Sequence, residues 1–233
     1  MLTQIALDRL ISLAYMFHVE RATWWRDLLV AGVSELELHV SDKVISQLIV
    51  YATELTLWNR KINLTGITDT KEIIVKHFLD SLVCTKAVRL RSNDALLDVG
   101  SGAGFPGLPV KILYPEVELT LLEPSGKKTA FLHHVIGTLG LEGALVVSKR
   151  VQDFSQDPVN HSKYTYATSR ALSAAEVLPF IPPLLAQEGQ LILWRTQPLE
   201  ANSGFCGFST VKEMIYRLPF GYGERRIVIL EKQ

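Results

Sequence analysis

The spacing of apolar residues divides the chain into two parts. From Leu2 to about Val88, apolar residues recur at the spacing of an amphipathic helix, as Leu48, Ala52 and Leu55 do. Turn residues such as Thr65-Gly66 interrupt this pattern. The first part therefore predicts a helical segment, to which we assign residues 1–90.

Beyond Asp94 the pattern changes to short, nearly continuous apolar runs. Helix-length stretches separate them, and such runs are typical of parallel strands that are buried on both faces of a sheet. The predicted strands are Ala95 to Val99, Val117 to Glu123, Ala144 to Ser148, Tyr164 to Ser169 and Gln190 to Trp194. Alternating strands and helices predict right-handed crossovers and an open, doubly wound sheet in residues 91–233.

Further segments complete the predicted fold. Helices are expected over Lys127 to Leu139, which ends at Gly140, and over Ala171 to Ala186. The runs Met214 to Leu218 and Arg226 to Glu231 flank glycines and a proline, which predicts a closing antiparallel hairpin. A mostly parallel, seven-stranded, Rossmann-like α/β sheet that ends in such a hairpin is the outline of the class I methyltransferases, although an outline does not determine a function.

Composition restricts the kind of protein. Of the 233 residues 48% are hydrophobic and 21% are charged, which is typical of a globular enzyme and excludes a disordered chain. The two cysteines, Cys84 and Cys206, lie far apart without metal-ligand spacing, so we expect no disulfide, no metal site and a reducing cytoplasm. The apolar run Leu10 to Phe17 is short and is followed by charges, so we interpret it as a soluble helix, not a signal or membrane span.

Alternating glycines follow the first predicted strand, in the segment Asp98-Val99-Gly100-Ser101-Gly102-Ala103-Gly104-Phe105-Pro106-Gly107. Glycines let the backbone turn tightly and approach a ligand, and ligands of open α/β sheets bind beyond the carboxyl ends of the strands. The segment also satisfies the GxGxxG pattern, so a dinucleotide and a turn without a ligand stay open as alternatives. Asp98 at the strand end, and Pro106 where a phosphate-binding helix would begin, favour S-adenosylmethionine, which has no phosphate.

Two later positions belong to the same predicted site. Glu123 ends an apolar run, where its carboxylate can accept hydrogen bonds from both ribose hydroxyls of an adenosyl group. Its alternative role is that of a partner for a helix N-terminus. Residues Val151 and Gln152 follow the third predicted strand, where they either contact the adenine edge or form a surface turn.

Several linked segments resemble one family, the bacterial small-subunit ribosomal RNA guanine-N7 methyltransferases, also known as glucose-inhibited division protein B. The resemblance runs from about Val40 to Lys232. It rests on Trp58-Asn59, Asn63-Leu64-Thr65, His77-Phe78-Leu79-Asp80-Ser81-Leu82, Asp98 to Gly107, Lys127-Lys128, Phe131-Leu132 and Ser169-Arg170-Ala171. The segments around Asn63 and His77 are more specific than the glycine turn, which other methyltransferases share.

The resemblance implies roles for individual residues. It implies donor contacts from Gly100, Phe105, Val151, Gln152 and Arg170, with Glu123 as the ribose ligand, and a mouth facing RNA that is lined by Asn63, His77, Asp80 and Ser81. Together with the glycine turn, the expected cofactor-binding residues are Asp98, Gly100, Ser101, Gly102, Gly104, Phe105, Glu123, Val151, Gln152 and Arg170. The expected catalytic residues are Arg170, His77, Asp80 and Asn63.

The chain departs from the family pattern in two places. Arg195-Thr196 stand where the family commonly has a Lys-Gly pair, which affects the substrate side of that loop. Residues 1–30 precede the usual family start, and their Trp24-Trp25 pair has no role that the sequence explains.

The reaction that the resemblance implies is methylation of a guanine N7 in 16S ribosomal RNA of the small ribosomal subunit. Methyl transfer from a sulfonium is an in-line displacement that depends mainly on positioning, and N7 has a free lone pair, so no general base is required. Amino-group methylation often uses an (Asp/Asn)-Pro-Pro-aromatic loop where this chain has Ser169-Arg170-Ala171, and cytosine C5 methylation needs a thiolate that neither cysteine is placed to supply. A nicotinamide oxidoreductase and a ribosome-binding factor without turnover stay open as alternatives.

The sequence also allows expectations for the polar residues on the RNA side of the predicted site. An exposed Arg170 in a crevice should contribute little to stability. Because His77 and Asp80 are three residues apart on one helical face, the carboxylate is expected to orient the imidazole.

A net charge of zero means that a monomer docking on RNA needs a local basic patch. The candidates are Arg60, Lys61, Lys76, Lys127, Lys128, Lys149, Arg150, Arg225 and Arg226.

Overall fold

The computed structural model describes residues 23–170, 172–199 and 207–233. Within them, seven strands form one sheet in the order β3-β2-β1-β4-β5-β7-β6. Strands β3, β2, β1, β4 and β5 are parallel, and β7 runs antiparallel to both of its neighbours. The strands are β1 (Ala95–Val99), β2 (Glu118–Leu122), β3 (Ala144–Val147), β4 (Tyr164–Ser169), β5 (Leu185–Arg195), β6 (Phe208–Arg217) and β7 (Glu224–Lys232). The predicted class I methyltransferase fold is confirmed.

The order of the strands reverses between β1 and β4. After β1 the chain moves outward to β2 and β3, and then returns to the other side of β1 as β4. The hydroxyl of Ser169 donates a hydrogen bond to the carbonyl of Val99 (3.2 Å), which joins the carboxyl ends of these two strands. Ligands of doubly wound sheets bind in the crevice at such a reversal. The glycine turn and Arg170 therefore lie on the two sides of one cleft.

Helices cover the sheet and precede it. The first described helix, α1, spans residues 23–35. The others are α2 (Asp42–Asn59), α3 (Thr70–Ile73), a π-helical segment (Ile74–Leu79), α4 (Asp80–Leu82), α5 (Cys84–Ala87), α6 (Gly107–Leu113), α7 (Gly126–Leu139), α8 (Val151–Ser155) and α9 (Ala174–Val177). The side chain of Ser41 caps α2 by accepting a hydrogen bond from Val44 N–H, and α7 ends at Gly140 in a left-handed conformation (φ 60°). Among the described residues, no helix is long and apolar enough to span a membrane.

One hydrophobic cluster joins the helical segment to the sheet. Leu48 and Phe78 of the helical segment belong to the same buried cluster as Leu121 of β2 and Phe131 of α7. Trp25 is also buried in this cluster, whereas Trp24 is 45% exposed. Trp25 thereby acquires a packing role that the sequence did not explain. The division at residue 90 stays a prediction, and the shared cluster shows that the two segments do not bury separate cores.

The predicted helix over residues 171–186 is wrong over most of its length. Ala171 lies outside the described residues, and the structure has only α9 and a 3₁₀ turn, Leu178–Phe180, before β5 begins at Leu185. Pro179, Pro182 and Pro183 lack the N–H that an α-helix needs and their rings clash with the preceding turn. The apolar spacing predicted a helix that these prolines prevent.

Gly107, the first residue of α6, has no room for a side chain. A Cβ there would lie 2.7 Å from Oδ2 of Asp98 and 2.8 Å from Cδ2 of Leu121. We expect Gly107→Ala to lower the free energy of unfolding by about 1–3 kcal/mol, as overpacking of a core does. Gly126→Ala is the matched control in the first turn of α7, because its Cβ would meet no described heavy atom within 4 Å. Urea denaturation measures both changes, and equal transition midpoints for the two variants would refute the expectation.

Candidate active site

Two neighbouring pockets open at the carboxyl end of the sheet, and Leu172 lines both of them. The first, which we call the glycine-turn pocket, has a volume of about 280 Å³. The second, the arginine pocket, has a volume of about 410 Å³. The glycine-turn pocket is lined by Val99, Gly100, Gly102, Leu122, Glu123, Pro124, Lys128, Lys149, Arg150, Val151, Gln152, Leu172 and Glu176. The arginine pocket is lined by Ile67, Lys76, His77, Asp80, Arg170, Leu172, Trp194, Arg195, Thr196, Gln197 and Arg225.

The backbone N–H groups of the glycine turn are directed into the protein. Those of Gly100 and Ser101 donate to the carbonyl of Leu122, and those of Gly104 and Phe105 donate to the carbonyl of Ser101. Gly102 has a φ of 58° and Gly104 a φ of 94°, which is the left-handed region that favours glycine. The sequence of glycines is thus explained by a tight, internally hydrogen-bonded turn.

Glu123 connects this turn to the start of α7. Its Oε2 accepts a hydrogen bond from Gly102 N–H (2.9 Å), and its Oε1 accepts one from Ser125 N–H (2.9 Å). The residue is 5% exposed and lines the glycine-turn pocket. Both roles expected from the sequence are therefore compatible with its position, because each carboxylate oxygen has a second lone pair.

The buried side chain of Asp98 is hydrogen-bonded to the end of the glycine turn. Its Oδ2 accepts a hydrogen bond from Gly107 N–H (3.0 Å), and its buried Oδ1 has no hydrogen-bond partner among the described residues. Burial raises the pKa of this carboxyl from 3.8 to about 7. Neither Asp98 nor Ser101, whose hydroxyl donates to the carbonyl of Asp98 (2.9 Å), lines the glycine-turn pocket or the arginine pocket. Their expected contacts with a cofactor stay predictions.

Phe105 links the glycine turn to the helical segment. Its ring stacks between those of Tyr51 (5.1 Å between centroids) and His77 (4.8 Å), and the guanidinium carbon of Arg170 lies 5.3 Å from its centroid. The Tyr51 hydroxyl donates a hydrogen bond to the carbonyl of Ala103 within the turn. Phe105 is 4% exposed and lines neither pocket, so it positions other residues.

Arg170 holds together three elements that are far apart in the sequence. Its Nη1 donates to the carbonyl of Lys76 (3.2 Å) and to Oδ2 of Asp80 (3.4 Å), and its Nη2 donates to Nδ1 of His77 (3.0 Å). The side chain is 17% exposed, so the expectation of an exposed arginine is wrong, and the reason for expecting little effect on stability no longer holds. A guanidinium that pairs with a buried carboxylate leaves a costly unpaired charge when it is removed.

His77 is oriented by Arg170 and Thr65, not by Asp80 as expected. A guanidinium only donates hydrogen bonds, so Nδ1 of His77 must accept, and Nε2–H then donates to Oγ1 of Thr65 (2.9 Å). Burial first, and then Arg170, lower the pKa of the imidazole from 6.5 to about 3. His77 lies in the π-helical segment and Asp80 directly follows it, so the spacing between them is not that of an α-helix. Arg170 contacts both of these side chains. His77 is therefore neutral at physiological pH and does not serve as a base that titrates there.

Asp80 faces Arg170 on one side and the C-terminal hairpin on the other. The hydroxyl of Tyr216 on β6 donates to its Oδ1 (2.5 Å), and the indole of Trp194 donates to its carbonyl (3.4 Å). Burial raises the pKa of this carboxyl, although Arg170 and Tyr216 oppose that shift. Ser81 is fully buried and donates to the carbonyl of His77 (2.6 Å), so the expectation that it lines the mouth is wrong.

Asn59, for which the sequence pattern indicates no role, builds the loop that carries Thr65. Its Oδ1 accepts hydrogen bonds from Leu64 N–H and Thr65 N–H, and its Nδ2 donates to the carbonyl of Thr65. The only sequence signal was its place in the resembling Trp58-Asn59 segment. Asn63, which was expected at the mouth, is exposed and lines neither pocket, so its role stays a prediction.

Comparison with known proteins decides the family. The GidB family model, described as rRNA small subunit methyltransferase G, matches residues 44–208. The chain belongs to this family. It is 35% identical over 209 residues to ribosomal RNA small subunit methyltransferase G of Alkaliphilus metalliredigens (86% of this chain, 87% of the relative). It is 38% identical over 213 residues to the protein of that name from Dehalococcoides mccartyi (88% and 90%).

Solved structures support the fold of this methyltransferase G family member. TrmN from Thermus thermophilus superposes with a TM-score of 0.53 at 15% identity, over 66% of this chain and 48% of that chain. The structure titled MtNAS in complex with MTA and tNA superposes with a TM-score of 0.57 at 14% identity, over 88% and 81%. At such identities the likeness shows the fold alone.

Family membership bears directly on the alternatives left open by the glycine turn. It confirms the resemblance and favours a methyltransferase over a nicotinamide oxidoreductase. Among the described residues, no group of three or more His, Cys, Asp or Glu side chains could hold a metal ion. Cys84 is fully buried and its pKa is raised to about 12 by burial, so it is not a nucleophile; Cys206 lies outside the described residues.

The cations expected at RNA separate into groups. Lys76 and Arg225 line the arginine pocket. Lys128, Lys149 and Arg150 line the glycine-turn pocket. Arg60 and Lys61 line a separate depression beside Trp58, and Lys127 lines neither pocket. Arg226 pairs with Glu213 (2.5 Å) on the hairpin. The structure therefore brings five of the nine candidates to the two pockets.

Asp98 should make the stability of this protein depend on pH. A carboxyl whose pKa rises from 3.8 unfolded to about 7 folded binds its proton more tightly in the folded state, so its contribution falls between about pH 4 and pH 7 and is constant above that. Asp98→Asn cannot ionise. We expect the stability of the variant relative to the parent to rise from pH 5 to pH 8 by about 3 kcal/mol at most, since pH 5 lies about two pH units below a pKa of about 7 and one pKa unit corresponds to about 1.4 kcal/mol.

Urea unfolding of both proteins at the two pH values, without ligand, measures this difference. Other groups that titrate, including His77, are common to both proteins and cancel in the comparison. A difference that is the same at pH 5 and pH 8 would show that Asp98 is ionised throughout.

Proposed function

We propose that this protein transfers a methyl group from S-adenosylmethionine to N7 of a guanine in 16S ribosomal RNA of the small ribosomal subunit. The observation that carries the proposal is the pair of pockets that share Leu172 at the strand reversal in a member of this family. The glycine-turn pocket is assigned to the donor and the arginine pocket to the guanine.

The residues of the glycine-turn pocket fit this donor better than a dinucleotide. A pyrophosphate requires free backbone N–H groups at the turn. Here Gly102 N–H is bonded to Glu123, Gly107 N–H to Asp98, and Gly104 N–H to the carbonyl of Ser101. S-adenosylmethionine has no phosphate and does not need these groups. Glu123 would hold the ribose, and Val151 and Gln152, which also line the pocket, would lie against the adenine.

When bound, S-adenosylmethionine would supply an electrophilic methyl carbon, which the lone pair of the acceptor attacks in line while the thioether leaves. This chain contributes position and electrostatics. N7 and O6 of guanine are both acceptors, so donors of the arginine pocket can hold O6 while the N7 lone pair stays free. Arg170 has five N–H groups, and the three hydrogen bonds that it makes leave others for the base.

The absence of a titrating base fits this choice of acceptor atom. His77, the imidazole in the arginine pocket, has its pKa lowered to about 3, and its Nδ1 lone pair is occupied by Arg170. It is therefore suited to orient Arg170 rather than to remove a proton. Methylation of an amino group would produce a proton that must leave, whereas methylation at N7 produces none.

The proposal includes the oligomeric state of the protein and the cellular location of the reaction. One chain supplies the residues of both pockets, so a monomer suffices. No metal is assigned a role. Since the proposed acceptor belongs to the ribosome, we place the reaction in the cytoplasm.

The acceptor atom is the direct test of the proposed function. Small subunits from cells that lack this protein are incubated with it and S-adenosylmethionine, and the rRNA is then treated with borohydride and aniline, which cleaves at N7-methylguanine. We expect one new cleavage site that depends on both enzyme and donor. Methyl groups found on an amine, a ribose or a cytosine carbon, or none at all, would refute the proposal.

Arg170→Lys tests the arginine pocket. A lysine keeps the charge but cannot contact His77, Asp80 and the Lys76 carbonyl together. We expect kcat/KM on small subunits to fall about tenfold to a hundredfold, because a hydrogen bond to a charged group contributes about 1.5–3 kcal/mol. The melting temperature should also fall, since Asp80 is buried.

Arg26→Lys is the matched control, because Arg26 also pairs with a carboxylate, Asp42 (2.6 Å), but lies on α1 outside both pockets. Donor affinity, measured by calorimetry, reports whether the glycine-turn pocket is intact. Parental turnover by Arg170→Lys would show that this residue has only a structural role.

A further inference from the structure

The loop between β6 and β7 packs two aromatic rings against lysines of the helical segment. The Nζ atom of Lys71 lies 5.2 Å from the ring centroid of Phe220 and 5.9 Å from that of Tyr222. The Nζ atom of Lys76 lies 5.5 Å from the centroid of Tyr222. All four side chains are partly exposed. Together with Arg225, we call these residues the hairpin-loop surface.

Phe220 occupies a backbone conformation that a bulky residue rarely adopts. Its φ of 59° and ψ of 26° lie in the left-handed region, which costs a non-glycine residue about 1–2 kcal/mol. Its N–H donates to both carboxylate oxygens of Glu35 (3.2 Å each), which anchors the loop to α1. Glycine would remove the strain, as it does at the neighbouring Gly221 and Gly223. Strain of this kind, once observed, points to a function for the ring that it positions.

The hairpin-loop surface is continuous with the arginine pocket. Lys76 and Arg225 belong to both, so the aromatic rings stand at the rim of the place that we assign to the guanine. Carboxylates also lie nearby: Glu72 pairs with Lys76 (2.7 Å), Glu35 holds the loop, and Asp80 lines the arginine pocket. Lys71 has no carboxylate within 4.0 Å among the described residues, so its charge is available to an anionic ligand.

We propose that the hairpin-loop surface binds unpaired rRNA next to the target guanine. A base flanking the guanine stacks on Phe220 or Tyr222, and Lys71 and Lys76 contact the phosphates. Enzymes that act on a base separate it from its neighbours, and proteins bind unpaired RNA by combining aromatic faces with cations. The chain has no net charge, so phosphate attraction must come from a local group of this kind. This inference rests on the proposed function.

The test compares the binding of small subunits by four variants. The subunits come from cells that lack this protein, and S-adenosylhomocysteine replaces the donor so that binding is measured without turnover. Phe220→Leu and Tyr222→Leu keep an apolar side chain but remove the aromatic face. Lys71→Gln removes one charge. Lys163→Gln is the matched control, since Lys163 lies 5.6 Å from the centroid of Tyr164 at the opposite end of β4.

We expect each leucine variant to raise the Kd about 5-fold to 100-fold, as loss of a stacked base does, with unchanged affinity for S-adenosylhomocysteine. Lys71→Gln should reduce the slope of log Kd against log salt by about one, as loss of one phosphate contact does. Lys163→Gln should match the parent in both measurements.

Several outcomes would overturn the inference. Leucine variants that bind subunits within twofold of the parent would show that the rings do not stack on RNA. If Lys71→Gln binds subunits more weakly but leaves the slope of log Kd against log salt unchanged, the surface contacts a ribosomal protein and not RNA phosphates. The salt slope of Lys71→Gln also decides between these outcomes if a leucine variant folds poorly. Failure of the proposed function is distinguishable, because the parent would then place no methyl group on guanine N7 whatever its affinity for subunits.

Discussion

The guanidinium of Arg170 is the interaction on which the arrangement of the arginine pocket depends. It follows β4 and reaches the Lys76 carbonyl, His77 and Asp80, all in the helical stretch that precedes the sheet. Through His77 it fixes the Thr65 loop, and through Asp80 it connects to Tyr216 on the hairpin. A buried carboxylate, a neutral imidazole and a guanidinium thus satisfy one another, and each would be costly alone in a dry interior.

The glycine turn shows that one pattern of glycines is compatible with turns that use their N–H groups differently. Its N–H groups are used for bonds to Leu122, Ser101, Glu123 and Asp98. A turn organised in this way offers a close, rigid approach to the sheet edge but few donors for a phosphate. The pattern of glycines is common to both kinds of turn, and the direction of the N–H groups distinguishes them.

Charge is distributed to suit a neutral protein that acts on a polyanion. The net charge is zero, yet Lys76, Arg170, Arg195 and Arg225 line the arginine pocket, with Asp80 as the only carboxylate among the described residues that line it. Local cations of this kind provide attraction at the site without a strongly basic surface elsewhere. In the proposed reaction a positive charge moves from donor to base, so the cations of the arginine pocket favour binding of the RNA and do not stabilise the charge that the base gains.

The sequence by itself determined the elements with strong local signals. Continuous apolar runs predicted the parallel strands, Gly140 predicted the end of α7, and the segment Asp98 to Gly107 located the cleft. Pro179, Pro182 and Pro183 also carried a local signal, and it should have outweighed the apolar spacing that predicted a helix. Only the tertiary structure decided which polar groups meet. Arg170 contacts residues more than 90 positions earlier, Ser81 proves to be buried, and Phe220 joins Lys71 through a strained loop. Periodicity reports which face of an element is buried, whereas these partners depend on how distant elements pack, and no local spacing encodes that.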